Sequence, residues 1–173
     1  MSQSTPENAV FTPHIFLGYP AIFVPFKTST RKTQMTNINP YISFDGECRD
    51  AMTFYHQCIG GELDMQMIEG SAIETQCPPE MKHQILHSAL TKDSLVLMAS
   101  DLVPEKLNKG NNITLNINCS SEDEINSLFA KLSTGGTIKD PLAVMFWGAT
   151  YGSFIDKFGI RWMLNYQKNI QPQ

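Results

Sequence analysis

One order of elements occurs twice along this chain of 173 residues, and that repetition limits the folds open to it more than any other feature. From Asn37 onward, Ile38, Pro40, Ile42 and Phe44 alternate with Asn39, Tyr41 and Ser43, the period of a strand buried on one face. Asp45-Gly46 is turn chemistry. Ala51, Phe54, Tyr55 and Cys58 then recur at the spacing of one helix face, and Gly60-Gly61 stops that helix. Glu62–Ile68 reads as a strand and Glu69–Met81 as a loop. Gln84–Thr91 and Ser94–Ser100 read as a hairpin across Lys92-Asp93. In the second half Ile113, Leu115 and Ile117 alternate with Asn112, Thr114 and Asn116. Ser121-x-x-Glu124 forms a capping box, Ile125, Leu128, Phe129 and Leu132 make the helical stripe, and Gly135-Gly136 ends it. A strand starts over Thr137–Asp140. Val144–Trp147 and Tyr151–Ile155 read as a pair of short strands, Asp156–Gly159 as a turn and Ile160–Tyr166 as the last strand. Asn39 and Asn112 are 73 residues apart and the two Gly-Gly pairs 75 apart. The pattern predicts an α+β fold built from a duplicated βαβββ unit, with modules over 37–104 and 110–167 inside a domain spanning 35–170. Each module alone leaves a half-exposed sheet, which pairing with the other module or with another chain would cover.

The rest of the composition mainly excludes. A formal charge of −4 with no basic run gives no footprint for a phosphate backbone, so no nucleic-acid partner is expected. Cys48, Cys58, Cys77 and Cys119 include no C-x-x-C pair and lack the density of a disulfide scaffold. They read as reduced thiols in a cytoplasmic protein. Residues 1–34 carry four of the ten prolines, one acid and three bases, and Met35 stands just before the patterned region. They read as an appendage. Its apolar stretch Ile15–Phe26 contains Pro20 and Pro25 and is shorter than the ~20 residues a bilayer span needs, so no membrane partner is expected. Neither a phosphate-binding glycine loop nor a G-x-S-x-G elbow is present.

Asn39-Pro-Tyr-Ile-Ser-Phe-Asp-Gly, the Cys48–Gly61 helix, His87-Ser-Ala-Leu, Leu97-Met-Ala-Ser-Asp101 and Trp147-Gly-x-x-Tyr-Gly-Ser-Phe-x-Asp-x-Phe-Gly-x-x-Trp162 together resemble the PhnB-like branch of the glyoxalase/bleomycin-resistance/dioxygenase superfamily, the vicinal-oxygen-chelate fold. The likeness covers residues 37–167. It implies paired βαβββ units forming cup-shaped mixed sheets, and commonly a homodimer. In metal-using members, ligands enter the cup from the first and last strands of both modules. The resemblance puts those positions on Asn39 (or Tyr41, two residues on), Leu97 or Met98, Asn112 and Met163. None is His or Glu, and Asn amides and Met thioethers suit zinc, nickel, manganese or iron(II) poorly. The expectation is a cup without a metal and no cofactor. Relatives often carry a ubiquinone-pathway methyltransferase label. The sequence gives it no support, because the glycine-rich dinucleotide-type turn after the first strand is missing.

Strand parity predicts the lining. If Asn112 faces the cup, so do Thr114 and Asn116, while Arg161, Met163 and Asn165 line it from the last strand and Asn39 and Tyr41 from the first. The candidate ligand-binding set is therefore Asn39, Tyr41, Met98, Asn112, Thr114, Trp147, Tyr151, Arg161 and Met163. Arg161 reads equally as a contact for an acidic or carbonyl-bearing ligand and as half of a surface salt bridge. Trp147 and Tyr151 read as a stacking wall for a planar ligand, or as packing in the core or a subunit contact. His87 and Asp101 are the weak catalytic candidates, an imidazole oriented by a carboxylate across the hairpin; the alternative for His87 is a hydrogen-bonded structural histidine. Three functions stay open: metal-free binding of a small organic molecule, a metal-dependent lyase, isomerase or dioxygenase, and sequestration of a drug-like compound.

Overall fold

The computed structural model describes residues 37–103 and 106–168, and the expected appendage 1–34 lies outside them. All described residues belong to one compact unit. The chain runs β1 (Tyr41–Ser43), α1 (Cys48–Ile59), β2 (Glu62–Met67), β3 (Ile85–Lys92), β4 (Leu95–Ser100), β5 (Leu115–Asn118), α2 (Glu122–Leu132), β6 (Thr137–Val144), β7 (Ala149–Ile155) and β8 (Arg161–Gln167). The strands form two four-stranded sheets in the same order, β1-β4-β3-β2 and β5-β8-β7-β6. In each the first and last strands pair parallel and the others antiparallel. This is the duplicated α+β unit that the pattern predicts, with the mixed sheets that the resemblance implies.

Both helices pack on one shared core, in which Phe44, Tyr55 and Leu90 of the first module meet Phe129, Phe158 and Trp162 of the second. Alternation sorts the strands between that core and the opposite, concave face. On β8, Trp162 and Leu164 are buried while Arg161, Met163 and Asn165 are partly open. On β4, Leu97 and Ala99 are buried and Met98 points the other way.

The repeat has a constant offset of 75 residues in its leading half. Tyr41 pairs with Met98 as Asn116 pairs with Met163. Phe44 N–H donates to Ser100 C=O, as Cys119 N–H donates to Asn165 C=O. Gly61 and Gly136 have the same reason for being glycine, since a Cβ on either would lie inside contact distance of a strand carbonyl, that of Thr91 or of Ile155. This corrects the first-strand alignment. The counterpart of Asn39 is Thr114 rather than Asn112, which sits in a bend before β5 and is exposed. Ile113 extends the alternation one step too far: it is 74% exposed, and the strand begins at Leu115, where a side chain reaches the core.

Two local differences follow from turn chemistry. Glu69–Met81 contains two short 3-10 turns, Glu74–Gln76 and Pro79–Met81. Val144–Trp147 is not a strand: β6 runs on through Pro141 to Val144, and Met145–Gly148 forms the hairpin turn, closed by Gly148 N–H to Met145 C=O at 2.8 Å. Pro141 is tolerated because β6 is an edge strand whose register shifts on both sides of Asp140.

Candidate functional site

The second cup gathers chemistry from four elements. Thr114 enters just ahead of β5, Lys139 and Asp140 from β6, Tyr151 and Ser153 from β7, and Arg161 and Met163 from β8, around a cavity of about 310 Å3. Pairing places Ser153 beside Met163 and Ile155 beside Arg161, so the polar groups share one face. Ser153 Oγ donates to Asp140 Oδ2 at 2.5 Å. Tyr151 O–H donates to Met163 Sδ at 3.8 Å. Among the described residues no carboxylate ion-pairs with Arg161. Two cations and one hydroxyl-bound carboxylate thus line the cavity, which favours a ligand with negative charge or a carbonyl oxygen.

Four of the nine candidate ligand-binding residues meet there: Thr114, Tyr151, Arg161 and Met163. Asn39 lines a neighbouring groove of about 580 Å3 between the approach to β1 and β5. Tyr41 and Met98 are paired in the first cup. Trp147 stands in the β6–β7 turn, 46% exposed, edge-on to Phe146 and to Tyr151 at ring separations of 4.7 and 6.2 Å. Asn112 joins none of these. Parity along β7 would have found Ser153, two residues from Tyr151. Lys139 and Asp140 could not be placed from sequence, because the bulges of β6 reset their facing.

The pairing of His87 with Asp101 is a correction. Asp101 is 2% exposed, and its carboxylate accepts N–H bonds from Cys48 and Ile85, both at 2.9 Å. It supplies the first turn of α1, which lacks a side-chain cap of its own, with an acceptor. Asp101 has the parity of Ala99, on the helix side. His87 has that of Ala89, on the concave side, where its Nδ1 is hydrogen-bonded to Tyr41 Oη at 3.3 Å.

The stretch Trp147–Trp162 is largely a folding device. Asp156, 3% exposed, accepts from Tyr55 O–H at 2.7 Å, Trp162 Nε1–H at 2.8 Å, and the backbone N–H of Phe158 and Ile160, both at 2.9 Å. Burial, and then the Asp156 charge, push the Tyr55 phenol well above its usual range, so it stays a donor. Burial likewise raises the thiols of Cys48, to about 12, and Cys119, to about 11. Both thiols are buried in the core, where the protonated form is favoured.

The donor set also tests the metal site that the resemblance implies. First-strand positions offer Asn39 and Thr114, or Tyr41 and Asn116 two residues on, and the last strands offer Met98 and Met163. Amides, hydroxyls, a phenol and thioethers suit zinc, nickel, manganese or iron(II) poorly as a first shell. Among the described residues no group of three His, Cys, Asp or Glu is placed to hold one.

Known proteins share this architecture. The model of a family described as 3-demethylubiquinone-9 3-methyltransferase matches residues 36–165. The chain belongs to that family. Protein YjdN of Escherichia coli K12 is 29% identical over 145 residues, covering 79% of this chain and 99% of that protein. The crystal structure of PA1353 from Pseudomonas aeruginosa superposes with a TM-score of 0.71 at 36% identity, over 78% of this chain and all of the other. A PhnB protein from Bacillus cereus, described as a putative 3-demethylubiquinone-9 3-methyltransferase, superposes with a TM-score of 0.63 at 24% identity, over 76% and 99%. A glyoxalase/bleomycin resistance protein/dioxygenase family enzyme from Burkholderia phytofirmans PsJN shares the fold, with a TM-score of 0.52 at 12% identity over 74% and 97%. The family's description is shared with that PhnB protein, and the fold is that of the glyoxalase/bleomycin resistance/dioxygenase structures. No helix among the described residues of this PhnB-like chain is long and apolar enough to cross a membrane.

Proposed function

We propose that this PhnB-like protein binds a small organic molecule without a metal ion, and that the ligand presents an acidic or carbonyl group to Arg161 in the second cup. One observation carries the reading: Arg161 opens onto the cavity with Lys139 and has no carboxylate of the described residues within ion-pairing distance. A guanidinium offers a carboxylate two parallel N–H donors. The same proposal makes the protein a cytoplasmic homodimer. Val144 and Phe146, 76% and 96% exposed, support association, and light scattering should give twice 19.4 kDa. Sequestration of a planar compound is the second reading, favoured by Trp147 edge-on to the cavity-lining Tyr151.

Calorimetry with benzoate, phenylacetate and pyruvate beside their amides tests the acid reading. The carboxylates are expected to bind one per chain, and Arg161→Ala to weaken them at least tenfold, about 1.4 kcal/mol. Amides binding as tightly would refute the acid and leave only the carbonyl head, and an Arg161→Ala variant binding as wild type would refute both. Nickel, zinc, manganese and iron(II) are expected to give no stoichiometric heat. A micromolar one-to-one signal abolished by Asn39→Ala or Met98→Ala would overturn the metal-free part.

A further inference from the structure

We infer that the ligand is amphiphilic, with its acidic head in the second cup and an apolar tail along the groove between the approach to β1 and β5. This rests on the acid reading above and extends it to a ligand class. The groove, about 580 Å3, is walled by Ile38 and Pro40 on one side, Ile113 and Ile117 on the other, and Leu95 of β4. None of its lining residues is charged. The cup beside it has the opposite character, with Lys139, Asp140 and Arg161 around about 310 Å3.

The two cavities are neighbours, because Thr114 and Trp162 contribute to the walls of both. The cup offers charge beside the apolar surface of Phe154, Trp162 and Met163, and the groove can hold hydrocarbon but offers no charge. Each volume falls in the range of roughly 300–1,000 Å3 typical of ligand sites. Ile38 is fully exposed and Ile113 is 74% exposed, so the groove holds apolar surface that a hydrocarbon tail would take out of water. The geometry therefore selects a carboxylate with a flexible or flat apolar extension, since a compact, uniformly polar acid would leave the groove wet.

The test is a chain-length series on the full protein. Butanoate, hexanoate and octanoate, with the matching alcohols, are titrated by calorimetry and by the fluorescence of Trp147 and Trp162. Affinity is expected to rise about fourfold per added methylene until the groove is filled, the effect of burying one CH2. Arg161→Ala should weaken all three acids by a common factor. Ile113→Asp and, separately, Ile38→Asp should flatten the dependence on length, and both side chains are exposed enough for the variants to fold. Butanoate binding with no gain for octanoate would overturn the tail and leave the acid reading standing. A length dependence that survives both aspartates would place the tail elsewhere and also overturn it. No binding by any acid, or alcohols binding as tightly as acids, would sink the acid reading itself, and the tail with it.

Discussion

Tyr55→Phe probes the junction that makes two modules one domain. The Tyr55 side chain is fully buried, and its O–H reaches Asp156 from a helix 101 residues earlier in the chain. Phenylalanine keeps the ring, which lies edge-on to Trp162 and Phe158 at 5.5 and 6.0 Å, so packing is preserved and one hydrogen bond is deleted. The acceptor is a buried carboxylate, for which such a bond is worth about 1.5–3 kcal/mol. Asp156 keeps three donors, Trp162 Nε1–H and two backbone N–H groups, so the loss should sit near 2 kcal/mol rather than the larger penalty of a stranded charge. With a urea slope of about 1–3 kcal/mol per molar for a domain of this size, the midpoint should fall by roughly 1 M at unchanged slope. Far-UV circular dichroism reports both modules, and tryptophan fluorescence reports the second. Their curves should coincide in wild type and variant alike, because the core is shared. A loss below about 0.5 kcal/mol would refute the role given to this bond. Separate transitions for the two probes would refute the common core.

Other outcomes follow from the same geometry. The raised Tyr55, Cys48, Cys58 and Cys119 groups give stability that is fully present below their unfolded values, about 8.5 for thiols and 10 for the phenol, and is lost as pH rises. Denaturant midpoints should therefore fall from about pH 8.5 upward, and above pH 10 Tyr55→Phe should lose less than wild type. A thiol reagent should modify Cys77 first in native protein and all four cysteines in urea, since the other three are buried. Fast labelling of a second thiol would contradict the core packing. Ser121→Ala removes the acceptor for Glu124 N–H and should cost about 1 kcal/mol in urea melts. Glu124 is held below the usual carboxylate range by the backbone and hydroxyl of Ser120, so its contribution should persist at neutral pH and fade as pH falls through its folded value.

The order of elements was legible because both local signals were strong. Period-two alternation marked the strands that bury one face, and each Gly-Gly pair passes close to a strand carbonyl; Gly60 caps α1, whereas α2 ends earlier, at Leu132 with Ser133 as its cap, and Gly135 lies in the turn beyond it. Register was less legible. The Asn112–Ile117 alternation runs past the start of β5, because polar residues in a bend mimic the outward positions of a strand. Parity was sufficient to separate His87 from Asp101, since Ser88 pairs with Ala99 and both are buried. The expectation of a dyad failed by ignoring it. What no local pattern could give was the partner of Asp156, because a turn aspartate and a helix tyrosine 101 residues apart meet only after the modules dock.

That partition bears on where specificity is encoded. Within Trp147–Trp162, the side chains of Phe154, Asp156, Phe158 and Trp162 point into the shared core, and each answers a packing or hydrogen-bonding demand there. Arg161 falls at a position that the signature leaves open, and Lys139 lies outside it altogether. Most of the recognisable residues thus build the scaffold, Tyr151 and Ser153 of the same stretch line the cup, and the two cations that would select a ligand, Arg161 and Lys139, are carried where the scaffold makes no demand. A ligand cannot then be read from family membership. Exchanging Arg161 and Lys139 should alter what binds while leaving the unfolding free energy from urea melts within about 0.5 kcal/mol of wild type, the range for substitutions away from the core. A large loss of stability from Arg161→Ala would show that the cup is part of the folding machinery and that the division fails.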